Sequence, residues 1–350
     1  MTTLKNLFSA AILSAAILPA FAQTSATFQN KRELLLSVLD QSKPNDYIPV
    51  EFFQHFGDGK NQGKVAVDNH IKYYDQTHAD FVKLDYRGVK PKHVDVKTPA
   101  DWKKVKFDLS VFDDQLNVIE TLAKKYKGET FVLPTVFSPI KTLSQIIGEV
   151  PGDAAVIELI NKDPEAVKPA LEEVVKATEY FIREARKRGA DGFYVSSIAH
   201  IVELGQNFYN VVRPYDKRVS EIAAEVAPFN ILHICGVGYT DIDSYRDYPA
   251  SVINFPTKLT YGARTLKQVS EDFGRPVFGG LDNSANSILA TGTIEEVKRE
   301  IDKVLANAPQ NIIFGADCTA PDISYEKIAA IADYVHTWRQ THNPDGSLKK

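Results

Sequence analysis

Only two cysteines, Cys235 and Cys318, occur in 350 residues, too few for a disulfide framework. They form one bridge, sit inert in a core, or belong to a site. A basic excess is missing too. The 41 Lys and Arg face 45 Asp and Glu, a formal charge of −4, which excludes a general attraction to nucleic acid. Beyond the N-terminus no apolar run reaches the length of a membrane span, so a mature chain without a span is expected. Disorder is excluded by what is present: 44% of residues are hydrophobic and 25% charged, ample for a large core.

The first residues read as a leader. Lys5 precedes an apolar stretch from Leu7 to Leu18, and Pro19-Ala20-Phe21-Ala22 offers small residues at a cleavage site. This predicts a signal peptide over 1–22, cut before Gln23, and an exported protein, periplasmic or extracellular. Removing it takes Lys5 and the only methionine, and moves the formal charge from −4 to −5. Residues 23–45 are expected to form an N-terminal extension, 46–342 the folded unit and 343–350 a tail.

Within 46–342 short apolar runs alternate with helical spacing. The runs are Tyr47–Phe52, Asp80–Asp85, Thr130–Val136, Phe193–Ser196, Ile231–Ile234, Ser251–Phe255, Pro276–Phe278 and Asn311–Phe314. Amphipathic segments between them predict helices over Val65–Thr77, Asp113–Lys125, Pro164–Arg188, Val211–Val226, Asp241–Asp247, Thr265–Phe273, Thr293–Ala306 and Ser324–Thr341. Buried parallel strands read as continuous apolar runs rather than alternating ones. Eight such units predict an α/β fold, a single (β/α)8 TIM barrel, with a doubly wound sheet as the alternative. The basic stretch between Val89 and Lys106 reads as an inserted, solvated loop.

In a barrel the loops that follow the strands build the active site. Polar residues gather there: Glu51, Gln54 and His55; Asp85 and Arg87; Ser196, Ser197 and His200; His233 and Cys235; Asp282 and Asn283; Asp317, Cys318 and Thr319. Positions i and i+2 of a strand share a face, so His233 and Cys235 can reach one point. Cys318, from another strand, could complete three ligands. Two thiolates and an imidazole suit Zn2+ and leave a fourth position for water or substrate. A Cys235–Cys318 disulfide, which an oxidising compartment favours, and inert buried cysteines remain open at this stage. Asp85 reads as an acid–base or orienting group, or as a helix cap. Glu51 reads as a fourth ligand, a proton relay or a solvated loop carboxylate. Gly236-Val237-Gly238 and Gly279-Gly280 permit close backbone approach but make no phosphate-cradling fingerprint.

Several of these segments resemble the uroporphyrinogen decarboxylase superfamily. They are His233-Ile234-Cys235-Gly236, Val277-Phe278-Gly279-Gly280-Leu281-Asp282, Thr291-Gly292-Thr293-Ile294-Glu295-Glu296-Val297 and Gly315-Ala316-Asp317-Cys318-Thr319-Ala320-Pro321, with Gly189-Ala190-Asp191-Gly192 and the Asp80–Asp85 strand upstream. The resemblance runs from about Tyr47 to His336 and implies a TIM barrel. Glu51-Phe52-Phe53-Gln54-His55-Phe56-Gly57 stands where porphyrinogen-decarboxylating members carry arginines, and the family's histidine near the eighth strand is replaced by Ala316-Asp317-Cys318. Asp85 resembles the aspartate that meets pyrrole NH groups, and Ser197 is retained. His233, Cys235 and Cys318 match the His-x-Cys and distant Cys of the zinc-dependent corrinoid methyltransferase branch. That match implies a thiol-activating methyltransferase with Asp85, Glu51 and Ser197 as catalytic candidates. It also implies a small-molecule substrate with a corrinoid or thiol co-substrate. A carboxy-lyase acting on a tetrapyrrole or aromatic ring is the alternative, and a non-catalytic exported binding protein with a Cys235–Cys318 bridge is a third.

Overall fold

The computed structural model describes residues 30–40, 46–57, 59–85, 93–147, 152–236, 240–262 and 264–350. The leader expected at 1–22, Arg87 and Val237-Gly238 lie outside them. The described strands are β1 (Val50–Glu51), β2 (Val82–Lys83), β3 (Val132–Leu133), β4 (Thr135–Phe137), β5 (Gly192–Ala199), β6 (Phe229–Gly236), β7 (Val252–Asn254), β8 (Val277–Leu281) and β9 (Ile312–Ala316). Seven of them form a curled parallel sheet in the order β1-β9-β8-β7-β6-β5-β4, and β2 pairs with β3. Pro134, which has no N–H to give a ladder, divides β3 from β4. The two are one barrel strand nonetheless, because the Pro134 carbonyl accepts the Tyr194 N–H at 3.0 Å. Between β2 and β1 the Asp80 N–H donates to the Val50 carbonyl at 2.9 Å. Eight strand positions therefore close on themselves, as the eight apolar runs predict.

Side chains alternate across each strand, and the two faces bury different neighbours. Phe81, Phe131, Tyr194, Ile231, Phe278 and Ile313 fill the barrel's inside. Ile48, Leu232, Ile234, Ile253 and Phe314 face the helical layer. The N-terminal end of the barrel is closed by the helix Lys31–Ser37 from the extension, whose Leu35 joins the inner cluster. Arg32 fastens it to the Asp191 carboxylate at 2.6 Å and the Thr130 carbonyl at 3.1 Å.

Most predicted helices form with shifted starts. The long one spans Lys168–Lys187 and the next Arg213–Val226, each with a proline in its first turn, where a missing N–H costs nothing. Asp241–Asp247 yields only a 3-10 turn, Ile242–Tyr245, opened by the Asp241 side chain. Helices Pro139–Ile146 and Gly152–Lys162, between β4 and β5, add to those expected. The basic stretch is not wholly solvated. Its 3-10 turn Pro99–Lys104, closed by a Thr98–Asp101 capping box, buries Trp102.

Gly192 opens β5 where the backbone of β6 passes. A Cβ there would lie 1.6 Å from the Phe229 carbonyl oxygen, so alanine cannot enter without displacing the strand. Gly192→Ala is expected to destabilise the barrel by about 3 kcal/mol or more in urea unfolding, at the top of the range for overpacking. A loss below about 1 kcal/mol would show that the strands separate easily.

The outward face of β5 carries a second sensitive group. Ser197 donates to the buried Asp216 carboxylate at 2.6 Å on the helix Arg213–Val226, and the Tyr248 hydroxyl approaches the same oxygen at 3.4 Å. Burial pushes the Asp216 carboxyl up to about 7 in spite of these donors. A carboxyl raised on folding stabilises the fold below its unfolded value, and that contribution drains away as pH rises through the folded one. Asp216→Asn cannot ionise, so its stability relative to the parent should climb between pH 4 and pH 7 and then level, by roughly 4 kcal/mol at most. Denaturation at pH 5 and pH 8 measures this; equal differences at both would show that Asp216 titrates normally.

Candidate metal centre

His233 and Cys235 stand two residues apart on β6 and point into the barrel mouth, and Cys318 follows β9. The ligand atoms of the three lie within 4.8 Å of one another, and among the described residues they are the one such group of three. Both thiols are free. Cys318 Sγ is 3.3 Å from His233 Nε2. The cysteines also touch each other, which splits their proton affinities. The hydrogen bond from Cys235 and the neighbouring His233 hold Cys318 well below the usual thiol range. The same bond, with burial, pushes Cys235 up. Of the pair, Cys318 is the more readily ionised and Cys235 the donor.

The orientation of His233 follows from a neighbour that the sequence reading passed over. Asn254 ends β7, buried, with its Nδ2 donating to the Phe278 carbonyl at 2.7 Å and reaching the Ala316 carbonyl at 3.4 Å. Carbonyls accept only, so the amide nitrogen must face them and Oδ1 must face the other way. There Oδ1 accepts the Tyr194 hydroxyl at 2.9 Å and meets His233 Nδ1 at 2.5 Å. An amide oxygen cannot donate, so Nδ1 carries a proton and Nε2 is the ring nitrogen that faces the thiols. Tyr194 stacks on the same imidazole at 5.2 Å and fixes its plane.

These donors fit a zinc ion. A tetrahedral ion holds its ligand atoms roughly 3.5 Å apart; here His233 Nε2 and Cys318 Sγ are 3.3 Å apart and no pair exceeds 4.8 Å. A second group behind the ligand fixing the imidazole tautomer is the usual support of such a site. Beside Cys318 a cavity of about 300 Å³ is lined by Gly236, Pro256, Lys258, Asp282 and Asn283.

The other predicted residues are placed differently. Asp85 is buried at the mouth, but its carboxylate is already engaged by His55 Nδ1 at 2.8 Å and the Phe56 N–H at 2.9 Å. Burial works to raise it; the His55 bond, the Lys83 charge and the Phe56 N–H outweigh that and hold it below the usual carboxylate range. Glu51 faces into the barrel in register with Gly315, below the three converging donors. Its Oε2 has no hydrogen-bond partner, and burial together with Asp80 raises its pKa well above the ordinary range. Ser197 points away, into the helical layer, and is not brought to the cluster. His200, just beyond the end of β5, is buried 3.8 Å from Asp153 and is not one of the three converging donors. Asp317 clamps the Thr257 N–H and hydroxyl rather than joining the cluster.

Lys83 is the functional residue that the reading of strand ends missed. It lies inside the barrel with its Nζ 4.0 Å above the Phe53 ring and 4.9 Å from that of Tyr194. Burial pushes it down to about 8, against the pull of Asp85, Cys318 and Glu51. Its position was available in the sequence, since Phe81, Lys83 and Asp85 alternate onto one face.

The fold has known counterparts. A solved methyltransferase from Methanosarcina mazei superimposes with a TM-score of 0.69 at 14% identity, covering 87% of this chain and 98% of that one. A B12-independent methionine synthase from a Shewanella species, solved with selenomethionine, shares 14% identity over 83% of this chain and 95% of its own, at a TM-score of 0.49. The first likeness establishes the barrel and the second is too loose to add to it. No curated protein sequence matches. The uroporphyrinogen decarboxylase (URO-D) family pattern matches residues 82–338, which span β2, β6 and the last helix. The chain belongs to the uroporphyrinogen decarboxylase family.

Proposed function

We propose that this chain is a zinc-dependent, methyltransferase-like enzyme that activates a substrate thiol at His233, Cys235 and Cys318. The observation that carries the reading is the convergence of the three donors, with His233 Nε2 turned toward the thiols by the Asn254 contact at Nδ1. A zinc ion held there supplies Lewis acidity, which lowers the pKa of a thiol in the open fourth position. The protein's own part is positional and electrostatic. Tyr194 and Asn254 hold the imidazole, the cavity beside Cys318 admits the substrate, and the Lys83 ammonium offsets the negative charge that two thiolates and a substrate thiolate accumulate. The sulfur then attacks a methyl carbon whose leaving group departs with the bonding pair; in the branch the sequence resembles, a corrinoid is the donor. A carboxy-lyase needs Asp85 free to meet its substrate, and its carboxylate is instead occupied by His55 and the Phe56 N–H.

Protein purified without chelator should carry about one zinc per chain by elemental analysis. His233→Ala and Cys318→Ser should lose it, while Asn254→Ala should keep the ligands and weaken affinity roughly 10- to 100-fold. Parent protein with neither metal nor free thiols would sink the reading in favour of a Cys235–Cys318 bridge. Export is part of the same proposal. Intact mass of the mature protein from the host should place its N-terminus at Gln23, and a chain retaining Lys5 in the cytoplasm would exclude it.

A further inference from the structure

A chain of hydrogen bonds runs beside the cysteine cluster and has no part in holding it. Asp85 Oδ1 lies 2.8 Å from His55 Nδ1, and His55 Nε2 lies 3.1 Å from the Thr319 hydroxyl. The residues come from the ends of three barrel strands. Asp85 follows β2, His55 follows β1, and Thr319 follows β9, immediately after Cys318.

The chain has a direction. An ionised carboxylate can only accept, so the proton between Asp85 and His55 belongs to Nδ1. In the neutral ring Nε2 then carries the lone pair, and the Thr319 hydroxyl donates to it. That leaves lone pairs of Thr319 Oγ1 not used by His55, on the residue next in the chain to the proposed ligand Cys318. Asp85 is itself held by a second, mute histidine. Its N–H donates to His70 Nε2 at 2.7 Å, and His70 Nδ1 donates to the Ala66 carbonyl at 2.7 Å. Burial pushes His70 down to about 4, so it stays neutral. His55 differs from it in access. Its side chain is 36% exposed and lines an open cavity of about 560 Å³ with Gln54, Lys60, Lys72 and Asp322. The charged and titratable groups around His55 are thus Asp85 beside it, Lys83 and His70 behind Asp85, and Lys60, Lys72 and Asp322 across the cavity.

We propose that Thr319, His55 and Asp85 form the proton-acceptor relay of the site, taking the proton that a substrate thiol must lose and passing it to solvent. This rests on the thiol-activating reading above. In the step, Thr319 Oγ1 receives the proton from the substrate S–H as its own proton passes to His55 Nε2. The products are a substrate thiolate and a His55 imidazolium paired with the Asp85 carboxylate, and no charge is created or lost. Water in the open cavity then removes the proton from His55. Thr319 touches the substrate, His55 is the base, and Asp85 is a positioning residue. A contact that merely tied the loop after β1 to the loop after β9 would need neither the buried carboxylate nor a wet imidazole.

The test uses protein reloaded with cobalt(II) and 2-mercaptoethanol as the thiol probe, following the thiolate-to-cobalt absorption by stopped flow. Metal content should match the parent in His55→Ala, His55→Gln, Thr319→Val and Thr319→Ser, as should melting temperature in at least one variant at each position. Formation of the thiolate band should slow roughly tenfold or more in His55→Ala and Thr319→Val. It should stay near the parent rate in Thr319→Ser, and added imidazole should restore His55→Ala. Rates within twofold of the parent in both His55→Ala and Thr319→Val, at equal metal content, would overturn the relay. If the parent takes up no metal, the thiol-activating reading fails and the relay built on it falls too; in zinc-loaded parent, histidine ring nitrogen NMR gives a second readout of the relay. A neutral His55 protonated on Nδ1, shifting in Asp85→Asn, upholds it; protonation on Nε2 overturns it.

Discussion

One buried carboxylate ties the barrel shut, and the site depends on it. Asp80 is inaccessible to solvent at the N-terminal end of β2. It accepts the Val50 N–H at 2.7 Å, the Tyr47 hydroxyl at 3.0 Å and His336 Nε2 at 2.8 Å, with the Lys31 ammonium 3.6 Å away. Those partners belong to β1, the segment before it, the last helix and the N-terminal helix. Burying a charge is unfavourable unless its lone pairs are filled, and these are. The result is that β1 cannot slide along β2. A slip of one residue would turn every side chain of a strand to its other face. Asp80 thus decides that Glu51 and Lys83 look inward, and that Asp85 and His55 meet at the mouth.

The inward face these strands share is unusually polar for a barrel interior. Glu51 and Lys83 occupy the space beneath the cysteines, and among the described residues no carboxylate lies within ion-pair distance of Lys83. Burial acts on both in the direction of neutrality, raising the acid and lowering the ammonium. What keeps Lys83 charged is the surrounding potential: Asp85, the Cys318 thiolate and the faces of two aromatic rings. An apolar residue there would leave the thiolate cluster facing a low dielectric without a counter-charge. The lysine therefore belongs to the electrostatics of the site although it ligates nothing.

Much of this was legible because parallel barrels write their strands plainly. Each of the eight apolar runs became a strand position, and two-residue alternation correctly put His233 and Cys235 on one point. The same alternation shows why Ser197 misled. It lies one residue beyond Ser196, which pairs with His233, and one residue is enough to turn it outward onto Asp216. Reading the strand as ending at Ser196 concealed this, because β5 continues to Ala199. Asn254 was hidden for another reason: a polar residue closing an apolar run looks like a turn signal, and only the carbonyls of Phe278 and Ala316 reveal its task. The Thr319–His55 contact joins residues 264 positions apart, and no local pattern announces such a meeting.

The remaining tension lies between the leader-like start and the two thiols. Sulfurs this close are poised to oxidise, and an exported chain meets a compartment that promotes it. Oxidation proceeds through the thiolate, and Cys318, held as thiolate by Cys235 and His233, is the more exposed to attack. An ion that took both sulfurs would remove the nucleophile that disulfide formation needs. The arrangement that favours a bridge in bare protein is therefore the one that a metal protects. His233 tips the balance, since a pair kept only for a bridge has no use for an imidazole whose Nε2 is held toward it by Asn254, with Tyr194 stacked against the ring.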